Sequence, residues 1–349
     1  MEAISLYNRK KDRKGIMEES ELKSAASFKP LSREEQFKKA AAIAEDAIKK
    51  IGSPLNIGNY MLSVAVDREA PLDVQGVIEL FGRDVLDEKL MNTFAECEKH
   101  LVSMVSEDVS IRSLDGLRLI GHVVRAKKQK RVILAFHGWR GSWSRDLGMI
   151  ADFWRDSGCT VVYVEQRAHG QSEGDHISFG VYERFDCLDW IEWAGGYFGR
   201  HIPVYLAGVS MGASTVLMSC GQKLPSYVKG CIADCGYTSP EEIWRHVASD
   251  CLHLIYPAST LRSLCKEKLH FDPGRHSTLA AMAKATLPIL FIHGEDDHFV
   301  PMEMSLENYD ACASDKMIML SPGAEHGLSY YVEPERYQDY MLRFFERFH

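Results

Sequence analysis

The sequence predicts an α/β fold: an eight-stranded, mostly parallel sheet with helices on both faces, a helical insertion over the sheet's carboxyl edge and a helical N-terminal extension. Three observations predict it. Eight short apolar runs rich in β-branched residues begin only after residue 105. Helical patterns alternate with them, which implies right-handed crossovers between parallel strands. One long interval, 239–286, carries no strand at all.

Taken in order, residues 1–30 are charged and irregular. Ser32 with Glu35 three residues on forms a capping box, and Phe37, Ala41, Ile43, Ala44 and Ile48 recur at helical spacing up to Gly52. Helical patterns return over 59–68 and 83–104, so residues 1–104 read as a mainly helical extension ahead of a main domain, 105–349. Strands are expected at Val109–Ser113, Leu117–Arg125, Arg131–Phe136, Thr160–Glu165, Pro203–Gly208, Gly230–Asp234, Pro288–His293 and Lys316–Ser321. Leu114-Asp115-Gly116 joins the first two as a hairpin. The later runs are nearly continuous in apolar residues, as strands buried on both faces must be. Helices are expected near 146–157, 182–199, 211–223 and 334–348. In the strandless interval Ser239-Pro240-Glu241-Glu242 starts a helix, with Ser239 as its cap and Pro240 in its first turn. An insertion at 238–286 is read as a helical cap over the sheet. No internal repeat or low-complexity tract interrupts the chain.

Composition bounds the function. The 349 residues are 46% hydrophobic and 26% charged, with a net charge of −8. That balance is ordinary for a globular protein and excludes a non-specific nucleic-acid surface. It also disfavours anionic membranes. No apolar run approaches the ~20 residues of a membrane helix. The first fifteen residues are polar and basic, without an apolar signal core, which predicts a cytoplasmic protein. Nine cysteines lie between Cys97 and Cys312 with no C-x-x-C pair, so they read as free thiols, none of them in a catalytic motif.

The chemistry sits at strand ends. Gly208-Val209-Ser210-Met211-Gly212 follows a buried strand and opens a helix. A nucleophilic serine needs this sharp turn to project its oxygen above the sheet, and the flanking positions must be small to clear the strand and the helix. The helix that follows directs its first amides at the oxygen that becomes charged. Asp296 and Asp297 end another buried strand, where an acid can orient a histidine and stabilise its imidazolium. His326 lies in a glycine-flanked loop after the last strand. The order Ser210, then acid, then His326 matches the α/β arrangement of such triads. Acyl transfer also needs two preorganised amides for the oxyanion. One is that of Met211. The second falls to the loop His137–Trp139, at the amide of Trp139.

Four blocks together resemble the α/β-hydrolase superfamily, and within it the bacterial serine hydrolases of esterase type, over about residues 105–349. His137-Gly-Trp-Arg-Gly141 resembles the H-G-x-x-G oxyanion block. Glu165-Gln-Arg-Ala-His-Gly-Gln-Ser172 resembles D-x-R-G-x-G-x-S, with Glu165 for Asp and Ala168 for Gly. Gly208–Gly212 is the elbow, and His293-Gly-Glu-Asp-Asp297-His-Phe-Val-Pro301 resembles H-G-x-x-D-x-x-V-P, whose Asp is the triad acid. The resemblance therefore selects Asp297 over Asp296. It implies ester hydrolysis through an acyl-enzyme, with Ser210 as nucleophile, His326 as base, Asp297 as its orienting acid and the amides of Trp139 and Met211 as oxyanion hole. It implies no organic cofactor and no metal. The partner is then a small-molecule ester or related acyl compound. A thioesterase, a peptidase, an acyltransferase and a non-catalytic binding module use the same fold. Trp244, Leu254, Ile255, Tyr256 and Leu261 suggest an apolar lining for the cap. The extension lies outside the resemblance and is a candidate either for covering the site or for forming a homodimer.

Overall fold

The computed structural model describes residues 54–69, 88–252 and 254–349. The helix expected up to Gly52 lies outside them. One sheet contains β1 (Glu107–Arg112), β2 (Arg118–Val124), β3 (Arg131–Phe136), β4 (Cys159–Glu165), β5 (Val204–Val209), β6 (Val228–Asp234), β7 (Ile289–Gly294) and β8 (Lys316–Ser321). Its order is β1-β2-β4-β3-β5-β6-β7-β8. β2 runs antiparallel to both β1 and β4, and every later pairing is parallel. From β3 the chain moves to β4 on one side and then back to β5 on the other. Strand order reverses there, and the crevice outside the carboxyl ends of β3 and β5 is where such a sheet binds ligands.

Twelve α-helices accompany the sheet among the described residues: α1 (Pro54–Val66), α2 (Glu88–Met104), α3 (Trp143–Leu147), α4 (Ala151–Asp156), α5 (Glu183–Phe198), α6 (Met211–Cys220), α7 (Pro240–Arg245), α8 (Ala258–Leu269), α9 (Thr278–Met282), α10 (Met302–Ala311), α11 (Ser329–Val332) and α12 (Pro334–Arg347). None is long and apolar enough to cross a membrane. The period-2 alternation of the strands explains how they cover both faces. Val132, Leu134 and Phe136 of β3 pack with α5 and α6 on one face. Ile133 and Ala135 of the same strand pack with α3, α4 and α12 on the other.

A third core lies above the carboxyl edge. The insertion enters it through α7, whose cap is as predicted: Ser239 Oγ accepts from the Glu242 amide at 3.0 Å. A π-helical turn over His246–Cys251 and then α8 follow. The last helix of the insertion, α9, leaves the roof. Its Ala281 and Met282 pack on the sheet face beside α6. The extension divides between two places. Leu62 and Val66 of α1 join the roof, whereas Leu101 of α2 packs under the sheet.

The single helix expected over 146–157 is two short ones, broken at Gly148, a residue that disfavours a helix interior. α10 was not expected, because MEMSLENYDA presents only a weak apolar stripe.

Candidate active site

Ser210 sits between β5 and α6 with φ 55° and ψ −118°, a backbone conformation that costs a non-glycine residue about 1–3 kcal/mol. The turn is enforced by its neighbours. The Ser210 amide donates to the Asp234 carbonyl at 2.8 Å, and the Ser214 amide donates back to Ser210 at 3.0 Å. A Cβ on Gly212 would stand 2.1 Å from the Phe136 carbonyl oxygen, and one on Gly208 would stand 2.2 Å from that of Gly212. Strand, turn and helix are in backbone contact, so only glycine fits either position.

Asp297, His326 and Ser210 come together as a chain of hydrogen bonds. Asp297 Oδ2 lies 2.7 Å from His326 Nδ1, and His326 Nε2 lies 2.9 Å from Ser210 Oγ. Asp297 is buried, and its other oxygen accepts from the amides of Phe299 (3.0 Å) and Val300 (2.8 Å). Burial would raise its proton affinity. The neighbouring His326 and His293 outweigh burial and hold the carboxyl far below the usual carboxylate range. A carboxylate only accepts, so His326 carries its proton on Nδ1 and presents a bare Nε2 to the serine hydroxyl. Asp296, the other acid of this loop, is exposed and does not enter the cluster.

His293 stands behind Asp297. It is fully buried, with Nε2 3.1 Å from Asp297 Oδ2 and 2.9 Å from the Val300 carbonyl, and Nδ1 2.6 Å from Ser305 Oγ. Burial lowers its proton affinity, but the Asp297 carboxylate overrides this and raises it.

The loop after β3 faces the elbow, with the Gly138 backbone against Ser210. Its shape is fixed by donors and acceptors on every side. Gly138 N–H donates to Asp146 (2.9 Å), Arg140 N–H to His169 Nε2 (3.1 Å), and the Gln166 side chain to the His137 carbonyl (2.6 Å). Burial, and then His137, push His169 down to about 3, so its Nε2 stays free to accept. Among the described residues no acceptor meets the amide of Trp139 or that of Met211. These are the two amides expected from the sequence to receive an oxyanion. Ala168, where the family block has glycine, takes a left-handed φ of 60° at a cost of about 1–2 kcal/mol. Glu165, where that block has aspartate, hydrogen-bonds His122 and the Gln171 amide, away from Ser210.

Above Ser210 lies a cavity of about 150 Å³ with no charged residue in its lining. Trp139, Phe179, Tyr237 and Phe299 line it from the hydrolase fold, and Trp244, Leu254, Tyr256 and Leu261 from the insertion. Ile255, expected to join them, is instead 91% exposed. Phe179 is held at φ 54° by Glu183, whose carboxylate accepts from the amides of Ser178 and Gly180. The third wall comes from α1: Tyr60, Met61, Leu62, Val64 and Ala65.

The extension was a candidate for covering the site, but no local signal singled out α1 as the segment that lines it. Two further features were not anticipated. Asp234 ends the buried strand β6, the same local signal that Asp296 and Asp297 carry, and its carbonyl accepts from the Ser210 amide. Cys235 follows it at φ 48°, and ligand atoms of Cys235, Asp297 and His326 all lie within 4.8 Å of one another. Such a trio can hold a cation. In this arrangement, though, the histidine and carboxylate bond each other, and burial first, with Asp234 and Asp297, keeps the thiol protonated.

The family model described as alpha/beta hydrolase fold matches residues 131–255. The Bacillus subtilis protein YqkD is 25% identical over 238 residues, 68% of this chain and 78% of its own. Among solved structures, an esterase of Pyrococcus furiosus superposes with a TM-score of 0.58 at 20% identity, covering 71% of this chain and 95% of that one. An acylaminoacyl peptidase of Pyrococcus horikoshii gives 0.51 at 18%, covering 72% and 43%. With the strand order, the switch-point crevice and the matched segment that holds the strained elbow, these likenesses show that the chain has the α/β-hydrolase fold.

Proposed function

We propose that the protein is a serine hydrolase that cleaves carboxylic esters of uncharged, apolar acyl groups through an acyl-enzyme on Ser210. The observation that carries this reading is the bonded chain Asp297–His326–Ser210 at the floor of an apolar cavity. Ser210 Oγ attacks the ester carbonyl while His326 Nε2 takes its proton. The imidazolium that forms is stabilised by the buried Asp297 carboxylate. The oxyanion is received by the amides of Trp139 and Met211. His326 then gives its proton to the leaving alkoxide and afterwards activates the water that cleaves the acyl-serine.

The lining supports the acyl class. A charged acyl group would lose its hydration with no counter-charge to replace it, at a cost of several kcal/mol. A non-catalytic binding module has no use for a strained serine joined to an oriented base, which makes that reading the poorer one. Thioester, amide and acyl-acceptor chemistry differ from ester hydrolysis only in groups that lie outside this cavity.

The test is labelling. A fluorophosphonate should modify wild-type protein at Ser210, and Ser210→Ala should abolish both the label and hydrolysis of p-nitrophenyl butyrate. Label on another residue, or turnover surviving in Ser210→Ala, sinks the assignment.

A further inference from the structure

We propose that helix α1 is the acyl-chain selector of this site, with Met61 and Ala65 forming the wall that sets how large an acyl group Ser210 accepts. The inference rests on the esterase reading above and concerns a segment that precedes the hydrolase core.

Position comes first. Met61 and Ala65 are one helical turn apart, so they share a face. Both line the cavity that holds Ser210 and keep partial exposure there. The neighbouring face of the same helix does something else. Leu62 (2% exposed) and Val66 (0%) are anchored in the roof core. Leu62 and Val66 thus dock the helix, Leu62 also reaching the cavity, while Met61 and Ala65 pack against the same core and keep exposure toward the substrate space.

Rigidity comes second, because a wall selects only if it is held. Gly58 lets α1 cross α8 closely: a Cβ there would stand 2.9 Å from Thr260 Cγ2. Lys268 of α8 pairs with Asp67 at 2.6 Å. The carboxyl end of α1 is fastened to the oxyanion loop. A helix end leaves its last carbonyls without partners, and a cation there is favourable. Arg140 supplies both needs, donating to the carbonyls of Val64 (2.8 Å), Asp67 (2.5 Å) and Arg68 (3.2 Å). Trp139 Nε1 donates to the carbonyl of Ala65 itself at 2.8 Å. The residue whose amide faces the oxyanion thus grips, through its side chain, the residue that walls the acyl space.

Size comes third. An apolar cavity of about 150 Å³ is the size that holds a benzene ring. That corresponds to an acyl group of about six carbons. Ala65 adds the least side-chain volume of the α1 wall, so enlarging it intrudes on this space. Met61 is long and unbranched, so shortening it extends the space.

The experiment measures kcat/KM of the full-length protein for p-nitrophenyl acetate, butyrate, hexanoate, octanoate and decanoate. Ala65→Phe should lower the hexanoate-to-acetate ratio by about tenfold or more, since a single misfitted methylene in an apolar pocket is worth 10-fold upward. Met61→Ala, which only removes atoms, should raise the octanoate-to-hexanoate ratio by about tenfold. Opposite shifts in the two variants establish the selector, and the Met61→Ala shift alone suffices if Ala65→Phe does not fold. A Met61→Ala profile within about twofold of wild type throughout the series overturns it. Fluorophosphonate labelling of Ser210 in the same preparations keeps two failures apart. Labelled, ester-cleaving variants with an unchanged profile refute the selector alone. A wild-type protein that neither labels at Ser210 nor cleaves any ester removes the esterase reading and the selector with it.

Discussion

Replacing Asp297 by asparagine tests how His326 is oriented, and its magnitude can be worked from the hydrogen bonds. Oδ1 accepts from two amides, Phe299 and Val300, while Oδ2 faces His326 Nδ1 and His293 Nε2. An asparagine has two ways to sit there. With its oxygen toward the amides, its NH₂ faces His326 Nδ1, which must then accept. The ring moves its proton to Nε2 and can no longer take one from Ser210. With the amide flipped, the productive tautomer returns, but the NH₂ confronts two backbone donors. Leaving two buried donors unsatisfied costs about 1–3 kcal/mol each. Catalysis must draw on this minor state, about 4 kcal/mol uphill, so kcat should fall about a thousandfold. The exposed Asp296→Asn should stay within about 0.5 kcal/mol of wild type in stability and leave kcat nearly unchanged. The assay is steady-state ester hydrolysis by purified variants whose near-ultraviolet circular dichroism matches wild type. A folded Asp297→Asn within about tenfold of wild type, or a greater loss from Asp296→Asn, would refute the reasoning.

Two further outcomes follow from the same packing. Burial pushes the Asp234 carboxyl up to about 6, against the pull of His293, the Tyr337 hydroxyl and His326, so the folded state binds this proton more tightly than the unfolded chain does. Stability should therefore fall as pH rises from about 4 to 6, by about 3 kcal/mol at most, and remain lower above that window. Asp234→Asn can still accept from Tyr337 and should melt several degrees above wild type at pH 8, the gap narrowing toward pH 4; a variant that melts lower at both ends contradicts this. Gly212→Ala forces a Cβ against the Phe136 and His137 carbonyls at 2.1 and 2.6 Å and should cost about 3 kcal/mol or more, with loss of Ser210 labelling. Wild-type melting and labelling in that variant would mean the elbow is not held as described.

The parts of the fold that were readable in the sequence are those whose environment imposes a local pattern. β3 to β7 are buried on both faces, so runs such as Arg131–Phe136 and Ile289–Gly294 had to be nearly continuous in apolar residues. The elbow was readable because Gly208 and Gly212 answer a backbone contact that leaves no alternative. What was hidden depends on contacts between distant segments. Nothing around Met61 announces that it shares a cavity with Ser210. Nothing around Ile255 announces that it turns outward while Leu254 and Tyr256 turn in. Cys235 belongs to no motif, yet it lies beside the acid and the histidine because β6 ends next to β7. Asp296 and Asp297 are equivalent in local pattern. Only the family block chose between them, and the folded loop gives the physical difference: one is in water, the other holds four donors.

The roof explains why a segment outside the hydrolase core becomes part of the site. A thirteen-residue helix is marginal in water by itself. α1 is therefore held by what it touches. Full burial of Leu62 and Val66 contributes about 1.5–3 kcal/mol each. The Arg140 bonds to its last carbonyls and the Lys268–Asp67 pair add to this. These contacts reach two places that the sheet alone does not connect, helix α8 of the insertion and the loop after β3. A docked α1 thus braces the insertion against the loop after β3. Coupling of this kind is reciprocal. Whatever free energy Met61 and Ala65 contribute to holding an acyl group, that acyl group returns to the docking of α1. On the proposed ester reading, a substrate that fills the cavity should tighten the grip of Trp139 and Arg140 on the helix, and one too small to reach Met61 should not, a difference that protection of residues 54–66 from hydrogen exchange would measure.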